Sequence, residues 1–549
     1  MWEVLFQKDE RKISVKKNII VSILVTILYA GIYYYLMYPP INIHSSSFLF
    51  YLFTILIVFI ISHSTISFSS IVKDLSKGNF KTFFMIRSLI IVPIFFIGVI
   101  VVNIIVSPLF QSKEYYNRIK IEDGDFKEEV KEVDFNKLPL LDRDSTLKIG
   151  DRTMGGMSDL VSQFDVSEEY TQINYQDEII RVTPLEYHGF IKWLNNMNNG
   201  IPGYITVNST TGAAKLERLS KGMKYAPSAY FQKNLYRKIQ MSYPTKIFDS
   251  INFEIDNDGN PYWVASVVNY VGVEMRRDVV GAVVFNPING KSKYYSLKKI
   301  PAWVDHVYEA DLILEQVQDW GHYKNGFFNS FIGQKGVVEP TRGYNYLAQD
   351  DDIYLYTGIT SVISDESNIG FILTNLRTKA TKFYHVAGAE EYSAMDSAEG
   401  QVQQMKYEST FPLLINLNNK PTYLVSLKDN AGLVKMYGFI DVVDYQKVVV
   451  TDSSKGILKA AEAYLGDTAD LNSDYLSKEI EVHSIKNALI DGNSYYYIID
   501  ENNYKYKASI KVDKDNLPFL KENDHIIIYY LENKDDNSII SIKKIDFNF

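Results

Sequence analysis

Eight histidines, at positions 44, 63, 188, 306, 322, 385, 483 and 525, are the side chains best suited to metal ligation or proton transfer. No two share a ligand spacing on one helix, and HExxH is absent. The chain has no cysteine, which removes disulfides, thiolate nucleophiles and thiolate-bound metals together. Serine chemistry has no GxSxG elbow, and nucleotide chemistry has no P-loop. SxxK occurs at Ser14 with Lys17 and at Ser296 with Lys299, without the SDN or KTG companions that would give it meaning. Glu254, Asp256, Asp258 and Gly259 imitate the opening of an EF-hand loop, but Ala265 stands where the bidentate Glu belongs, so a hairpin turn is the better reading. Asp350, Asp351 and Asp352 offer oxygen ligands for calcium, and read more simply as a solvated turn before IYLYTG. Glu390, Glu391, Asp396 and Glu399 are the carboxylates on which a glycosidase-like pair would draw, though their spacing is that of a polar helix face. No catalytic, cofactor-binding or metal-binding residue is assigned, and the chain reads as a non-enzyme.

The elements that must position these residues change sharply along the 549 positions. Residues 19–38 read IIVSILVTILYAGIYYYLMY, and further apolar runs cover about 48–68 and 89–110. Each approaches the ~20 residues that carry a helix across ~30 Å of hydrocarbon. Lys8, Arg11, Lys12, Lys16 and Lys17 precede the first run, and Lys73, Lys77, Lys81 and Arg87 separate the second from the third. The loop between the first two has no basic residue. Positive charge therefore predicts a cytoplasmic tail over 1–18, three transmembrane helices within 19–110, and an extracytoplasmic location after about 111. The tyrosines at 33, 34, 35 and 38 suit an aromatic belt at the outer end. His44 and His63 lack the intramembrane carboxylates of a proton path, Pro93 predicts a kink, and Asn103 predicts a contact between helices.

Residues 111–152, with KIEDGDFKEEVKEVD at their centre, read as a charged, solvated stalk. Beyond it the sequence repeats. GYITVNSTTGAAKLERL from Gly203, GAVVFNPINGKSKYYSL from Gly281 and GFILTNLRTKATKFYHV from Gly370 align without gaps. Asn208, Asn286 and Asn375 fall at one shared position, Lys215, Lys293 and Lys382 at another. Alternation, a polar turn and renewed alternation predict a β-hairpin in each, with Asn bonding the turn backbone and Gly212 and Gly290 supplying positive φ. SINFEIDNDGNPYWVASVV resembles PLLINLNNKPTYLVSLKD, which extends the series to a fourth, degenerate copy. Helices are expected ahead of Phe248, from Pro301 along PAWVDHVYEADLILEQVQDWG, across EEYSAMDSAEGQVQQM, and over 456–465.

The stretch from about Phe231 to Leu297 resembles a PepSY-type unit, in which a helix precedes a three-stranded antiparallel sheet. FNPINGK stands where that family carries D-P-x-T-G, with Asn286 in place of the Asp. Looser echoes lie at 155–219, 340–386 and 408–450. The whole chain also resembles uncharacterised membrane proteins of Gram-positive bacteria. The resemblance implies PepSY-like units 1 and 2 over 153–300, and a helical connection with units 3 and 4 over 301–466. It also implies envelope regulation and protein interaction without a reaction.

Residues 475–549 contain about five strand-like runs whose order and length look like an OB-type barrel. Net charge is −9, and an outside location with no basic groove argues against nucleic acid, although Tyr495, Tyr496, Tyr497, Tyr504 and Tyr506 suit stacking on sugars. The fold class expected is therefore a membrane-anchored α+β protein: three N-terminal transmembrane helices, tandem PepSY-like helix-plus-antiparallel-sheet units and a small terminal β-barrel. The expected partners are the lipid bilayer and other envelope or membrane proteins, with cell-wall glycan as a further ligand class, and no cofactor. The function expected is an envelope scaffold or regulator; the alternatives are a sensor or transport-complex subunit and a glycan-acting enzyme.

Overall fold

Uninterrupted apolar sequence forms long helices. In a computed structural model, which describes residues 2–75, 83–349, 351–362, 364–466, 476–490, 493–513, 516–531 and 537–544, these are α1 (Trp2–Met37), α2 (Ser46–Leu75) and α3 (Phe83–Val106). Lys17–Met37 and Ser46–Ile66 are long and apolar enough to cross a membrane. The third run is followed by α4 (Pro108–Tyr116) after a bend of 49°, so the count rises to three if that bent pair is one span. Ser107 is extended and Pro108 opens the new helix, as proline does at a first helical position.

The rest is mixed α+β. After β1 (Ile121–Gly124), α5 (Phe126–Glu129) and α6 (Arg143–Gly155) comes a first sheet of β2 (Phe164–Val166), β3 (Thr171–Tyr175), β4 (Glu178–Tyr187), β5 (Ile201–Asn208) and β6 (Ala214–Met223). The short α7 (Phe190–Asn196) interrupts it. Next, α8 (Leu235–Ser242) precedes a meander of β7 (Ile247–Ile255), β8 (Pro261–Tyr270), β9 (Arg277–Phe285) and β10 (Ser292–Ser296). Helix α9 (Ala310–Tyr323) precedes β11 (Val338–Pro340), β12 (Asn345–Gln349), β13 (Asp352–Ser361), β14 (Ser364–Asn375), β15 (Thr381–Tyr384) and β16 (Gly388–Ala389). Helix α10 (Glu391–Gln401) precedes β17 (Glu408–Ser409), β18 (Leu413–Leu417), β19 (Lys420–Lys428), β20 (Val434–Asp441) and β21 (Val448–Asp452), and α11 (Ile457–Leu465) follows. Each of the four sheets thus has a helix ahead of it. Strands β22 (Leu476–Ile490), β23 (Asn493–Asp500), β24 (Lys505–Ser509), β25 (His525–Leu531) and β26 (Asn537–Lys544) close a barrel in the order β22-β23-β24-β26-β25, with β24 and β26 parallel.

The three aligned hairpins are β5–β6, β9–β10 and β14–β15, and their asparagines do identical work. Asn208 Oδ1 accepts from the N–H groups of Thr210 and Thr211, Asn286 Oδ1 from Ile288 and Asn289, and Asn375 Oδ1 from Arg377 and Thr378. Gly212 and Gly290 have φ of 74° and 75°; Lys379 takes the same place in the third turn at 63°. A fourth hairpin, β20–β21, uses Asp441 for the same bonds, to Val443 and Asp444. The repeated lysines share no role: Lys215 pairs with Glu217, Lys293 lies over the Tyr295 ring, and Lys382 pairs with Glu129.

Consecutive sheets share cores. On β8, Trp263, Ala265 and Val267 join Ile205 and Val207 of the first sheet, while Val264 and Val268 join Leu355 and Ile372 of the third. On β13 and β14, Tyr356 and Phe371 turn the other way, toward Tyr423 and Val425 of the fourth. A strand buried on both faces has no polar side to show, which is why these segments read as continuous apolar runs.

The segment expected as a solvated stalk is built into this body. Strand β1 runs parallel to β15, and Val133 N–H donates to Asn416 O. Phe135, Leu138 and Leu140 are buried against the fourth sheet and α11. Leu141 N–H then donates to Ser209 O in the first sheet, while Ser426 Oγ donates to Leu140 O. Most of its charges face outward, Arg118 being the buried exception, and its apolar residues, spaced between them, supply the packing. The segment therefore ties the fourth sheet to the first, and the four sheets close on themselves.

Two further expectations are corrected. No helix starts at Pro301: 301–309 is an irregular strap that opens on a turn, with Val304 N–H donating to Pro301 O, and is tied down where the Glu254 carboxyl accepts the N–H groups of Asp305 and His306. Asn103 does not join two helices. Its side chain donates to Val273 O and accepts from Val273 N–H, on the β8–β9 turn.

That turn gathers the helix ends. His44 Nδ1 lies 2.6 Å from Gly272 O, and Ser46 N–H donates to Glu274 at 2.9 Å. Nearby, Arg237 on α8 donates to Tyr35 O and lies over the Tyr35 ring. At the far end of α4, Arg118 is held by Glu315 and Asp319 of α9, and Arg277 by Asp249, Asp311 and Glu315.

Candidate functional site

The closure of four sheets leaves a cavity of about 450 Å³ to which all of them contribute. Tyr170, Gln172 and Arg181 come from the first sheet, and Asn252 from β7 of the second. His306 and Glu309 come from the 301–309 strap, Tyr346 from β12, and Leu413, Leu424 and Ser426 from β18 and β19. Leu140 to Asp144, the closing segment, completes the wall.

Arg181 is the unusual member. It sits in the run Ile179-Ile180-Arg181-Val182 on β4, opposite Gln172 across the β3–β4 hairpin, whose turn residues Gln176 and Asp177 both have positive φ. Its Nε and one terminal nitrogen donate to Gln172 Oε1 at 3.2 and 3.0 Å. Among the described residues, no carboxylate lies within ion-pair distance of it, and its side chain is almost fully buried. Burial pushes its pKa down to about 10, against a smaller opposing influence of Asp142. The neighbouring Gln172 Nε2 and Tyr170 hydroxyl have no hydrogen-bond partner. The donors of Arg181 and Gln172 thus share one wall of the cavity, while the Tyr170 hydroxyl lies against Gly150 of α6; the Arg181 charge has no carboxylate in contact and feels Asp142 and Asp144 only from further off. A buried cation is costly unless paired, so the arrangement is chemically incomplete without an anionic group beside it. Four carboxylates, Asp142 (paired with Lys428), Asp144, Glu169 and Glu309, and the Arg143 guanidinium stand elsewhere in the lining, with Tyr344, Tyr346 and Phe411.

Behind this wall lies a second unusual group. Glu254 is fully buried and faces no cation; burial pushes its carboxyl up to about 8. Asp305, whose carboxylate accepts from Asn174 N–H, is pushed up by burial and by Glu254. His306 Nε2 is 2.6 Å from Gln172 O, and burial lowers its pKa, keeping it neutral. These groups lock the first sheet, the second sheet and the strap to one another.

The residues singled out from sequence fall elsewhere, with two exceptions. His306 lines the cavity and Glu254 lies behind it, at the end of β7. Asp256 serves the β7–β8 turn, accepting from Asp258 and Asn260 N–H. His188, His322 and His385 pair with Asp165, Glu339 and Asp123 at the surface. The candidate carboxylates do not converge. Glu391 is buried and accepts from Tyr356 and Asn368, Glu399 accepts from Ser409 N–H, and Asp396 is exposed. Asp350 lies outside the described residues, while Asp352 is no solvated turn but a buried partner of Arg377 and Asn375. Arg181, Tyr170 and Gln172 were not anticipated. The signal was there: one arginine inside an apolar strand, with no acidic residue at a cross-strand position. No protein-family model matches the chain, and no curated protein matches it in sequence.

Proposed function

We propose that this chain is a membrane-anchored, non-enzymatic receptor of the cell envelope. Its central cavity takes a small ligand bearing a carboxylate, of amino-acid to short-peptide size. The observation that carries the reading is Arg181, a buried guanidinium with no carboxylate partner facing a space of about 450 Å³. Volumes of that order suit small-molecule sites. Of the readings open at the level of sequence, the cavity favours the sensor or transport-complex subunit over the scaffold. Four sheets that close on a space present less free surface than an open array.

On this reading α3 is a third transmembrane helix ending at Ser107. The folded part lies outside the cell, as the basic loop residues suggest. The helix-then-sheet order of the four units supports the PepSY-like comparison, and the strand order of the terminal barrel supports the OB-like one.

The test is calorimetric titration of the full-length protein in detergent micelles with acetate, alanine and Ala-Tyr, alongside Arg181→Met. Saturable binding of at least one probe, lost in the variant, is expected. Absence of saturable binding by all three, or binding indifferent to the substitution, overturns the proposal.

A further inference from the structure

We infer that the folded portion rests on the bilayer surface through two apolar patches that flank the ends of the membrane helices, with lipid as their occupant. The first patch is carried by α7 and the turn ahead of α8. Ile191 is 63 % exposed, and Leu194, Phe190 and Phe231 are exposed beside it. Their rings touch: Phe190 lies 6.4 Å and Trp193 5.8 Å from Phe231. The second patch is the turn of π-helix after α9, where Phe328 and Phe331 are each 67 % exposed and Ile332 is 83 % exposed. Monomeric proteins rarely leave such clusters open unless something covers them.

What covers them is argued from their neighbours. Arg237 joins the first patch to the membrane anchor, donating to Phe231 O at 2.6 Å and to Tyr35 O at 2.9 Å. Tyr35 belongs to the terminal turn of the first candidate span. The second patch is joined by a chain of rings: Phe331 to Phe327 at 5.0 Å, Phe327 to Tyr323 at 6.4 Å, and Tyr323 to Tyr115 at 6.1 Å. Tyr115 is on α4, the helix that bends away where α3 stops, and Phe110 on that helix is itself 66 % exposed. The start of α2 and the end of α3 meet at the β8–β9 turn, and α8 holds the end of α1. Both patches therefore adjoin the same ends of the helices, at the level where apolar sequence gives way to folded protein. Phenylalanine, isoleucine and leucine on short amphipathic turns, with Lys192, Lys324 and Lys335 close by in sequence, suit the boundary between headgroups and acyl chains. The inference rests on the anchor and not on the ligand reading of the cavity.

The absence of cysteine makes the test direct. Ile191→Cys, Phe331→Cys and Val443→Cys are each labelled with a nitroxide. The full-length protein is reconstituted into vesicles of phosphatidylcholine and phosphatidylglycerol, and collisions with oxygen and with a water-soluble nickel chelate are measured. Val443 is 69 % exposed on the β20–β21 turn and serves as the water-facing control. At 191 and 331, oxygen collisions are expected to exceed nickel collisions severalfold, with the reverse at 443. Labels at 191 and 331 that match 443 overturn the inference. So does immobilisation with neither oxygen nor nickel access, which would mean that a second copy of the chain covers the patches. Because all three positions are exposed, labelling leaves the core intact, and unchanged tryptophan fluorescence verifies that for each variant.

Discussion

If Arg181 is kept for a ligand, it costs the empty protein stability, and removing it leaves the empty protein about as stable as before. A guanidinium held near pKa 10 instead of its ordinary 12.5 disfavours the folded state by about 3 kcal/mol while it stays charged. Arg181→Met removes that cost and fills nearly the same length with apolar atoms. It forfeits two hydrogen bonds to Gln172 Oε1, together about 1–2 kcal/mol, and leaves that oxygen without a donor. With the stranded oxygen counted at a further ~1–3 kcal/mol the terms nearly cancel, and the net change for the empty protein is expected within about 2 kcal/mol of zero, in line with other replacements of buried charge by well-packed apolar groups. Arg118 provides the contrast, since it is equally buried but held by Glu315 and Asp319. Arg118→Met strands the buried Asp319, while Glu315 keeps Arg277, and is expected to cost about 3 kcal/mol. The assay is urea unfolding of the full-length protein in micelles, followed by tryptophan emission, for wild type and both variants. A loss at Arg181 comparable to that at Arg118 would mean that Arg181 already has its counter-charge, and would refute the reasoning.

Three other outcomes follow from the same geometry. Glu254 holds a proton when folded and loses it when unfolded between about pH 4.5 and 8, so its contribution to stability is complete below that window, falls as pH rises through it and is flat above. At ~1.4 kcal/mol per pH unit, the fall has a ceiling of about 5 kcal/mol; Glu254→Gln should flatten that part of the profile measured by thermal unfolding, while a curve merely offset from wild type would count against it. Asn375→Asp should cost about 2–3 kcal/mol, because Nδ2 is 2.8 Å from the Asp352 carboxylate, whereas Asn286→Asp, which keeps its turn acceptor, should stay within about 1 kcal/mol in the same assay. Arg237→Ala removes the bond to Tyr35 O and the stacking on its ring, and should speed hydrogen exchange of the Ile41 amide about tenfold with no change in the β9 amides.

Much of the scaffold was legible, because the signals were local. Alternation with Asn and Gly at fixed offsets specified the hairpins, down to which side chain bonds the turn. The runs near residues 17–37 and 46–66 could only be membrane-length helices. What sequence could not supply was pairing between distant segments. The 111–152 segment has the composition of a solvated linker, and only its placement between sheets makes Phe135 and Leu140 core residues. The strap at 301–309 has the spacing of a helix face, and gives it up because the Glu254 carboxylate, about fifty residues away, takes its amides. The cavity was invisible for the same reason. Its wall draws on all four sheets, and the mark of its importance is a missing partner, which no single segment records.

The second sheet meets both the cavity and the membrane helices. Strand β7 brings Asn252 to the cavity and Glu254 to the group behind it. The β8–β9 turn brings Gly272, Val273 and Glu274 to the helix ends, and Arg277 at the start of β9 brings the ion pairs that reach α9. A strand of nine or ten residues spans about 30 Å, and the central strand β8, buried along most of its length, has little freedom to bend. A ligand that draws Arg181 and the strap together would therefore act on this sheet as a body and reach the helix ends as a change in tilt. The flanking patches, if they rest on lipid, give that tilt a surface to work against. On this view the glutamate–aspartate pair behind the wall is the joint on which the sheet seats, and burial, which favours the protonated form of both, makes the seating sensitive to pH.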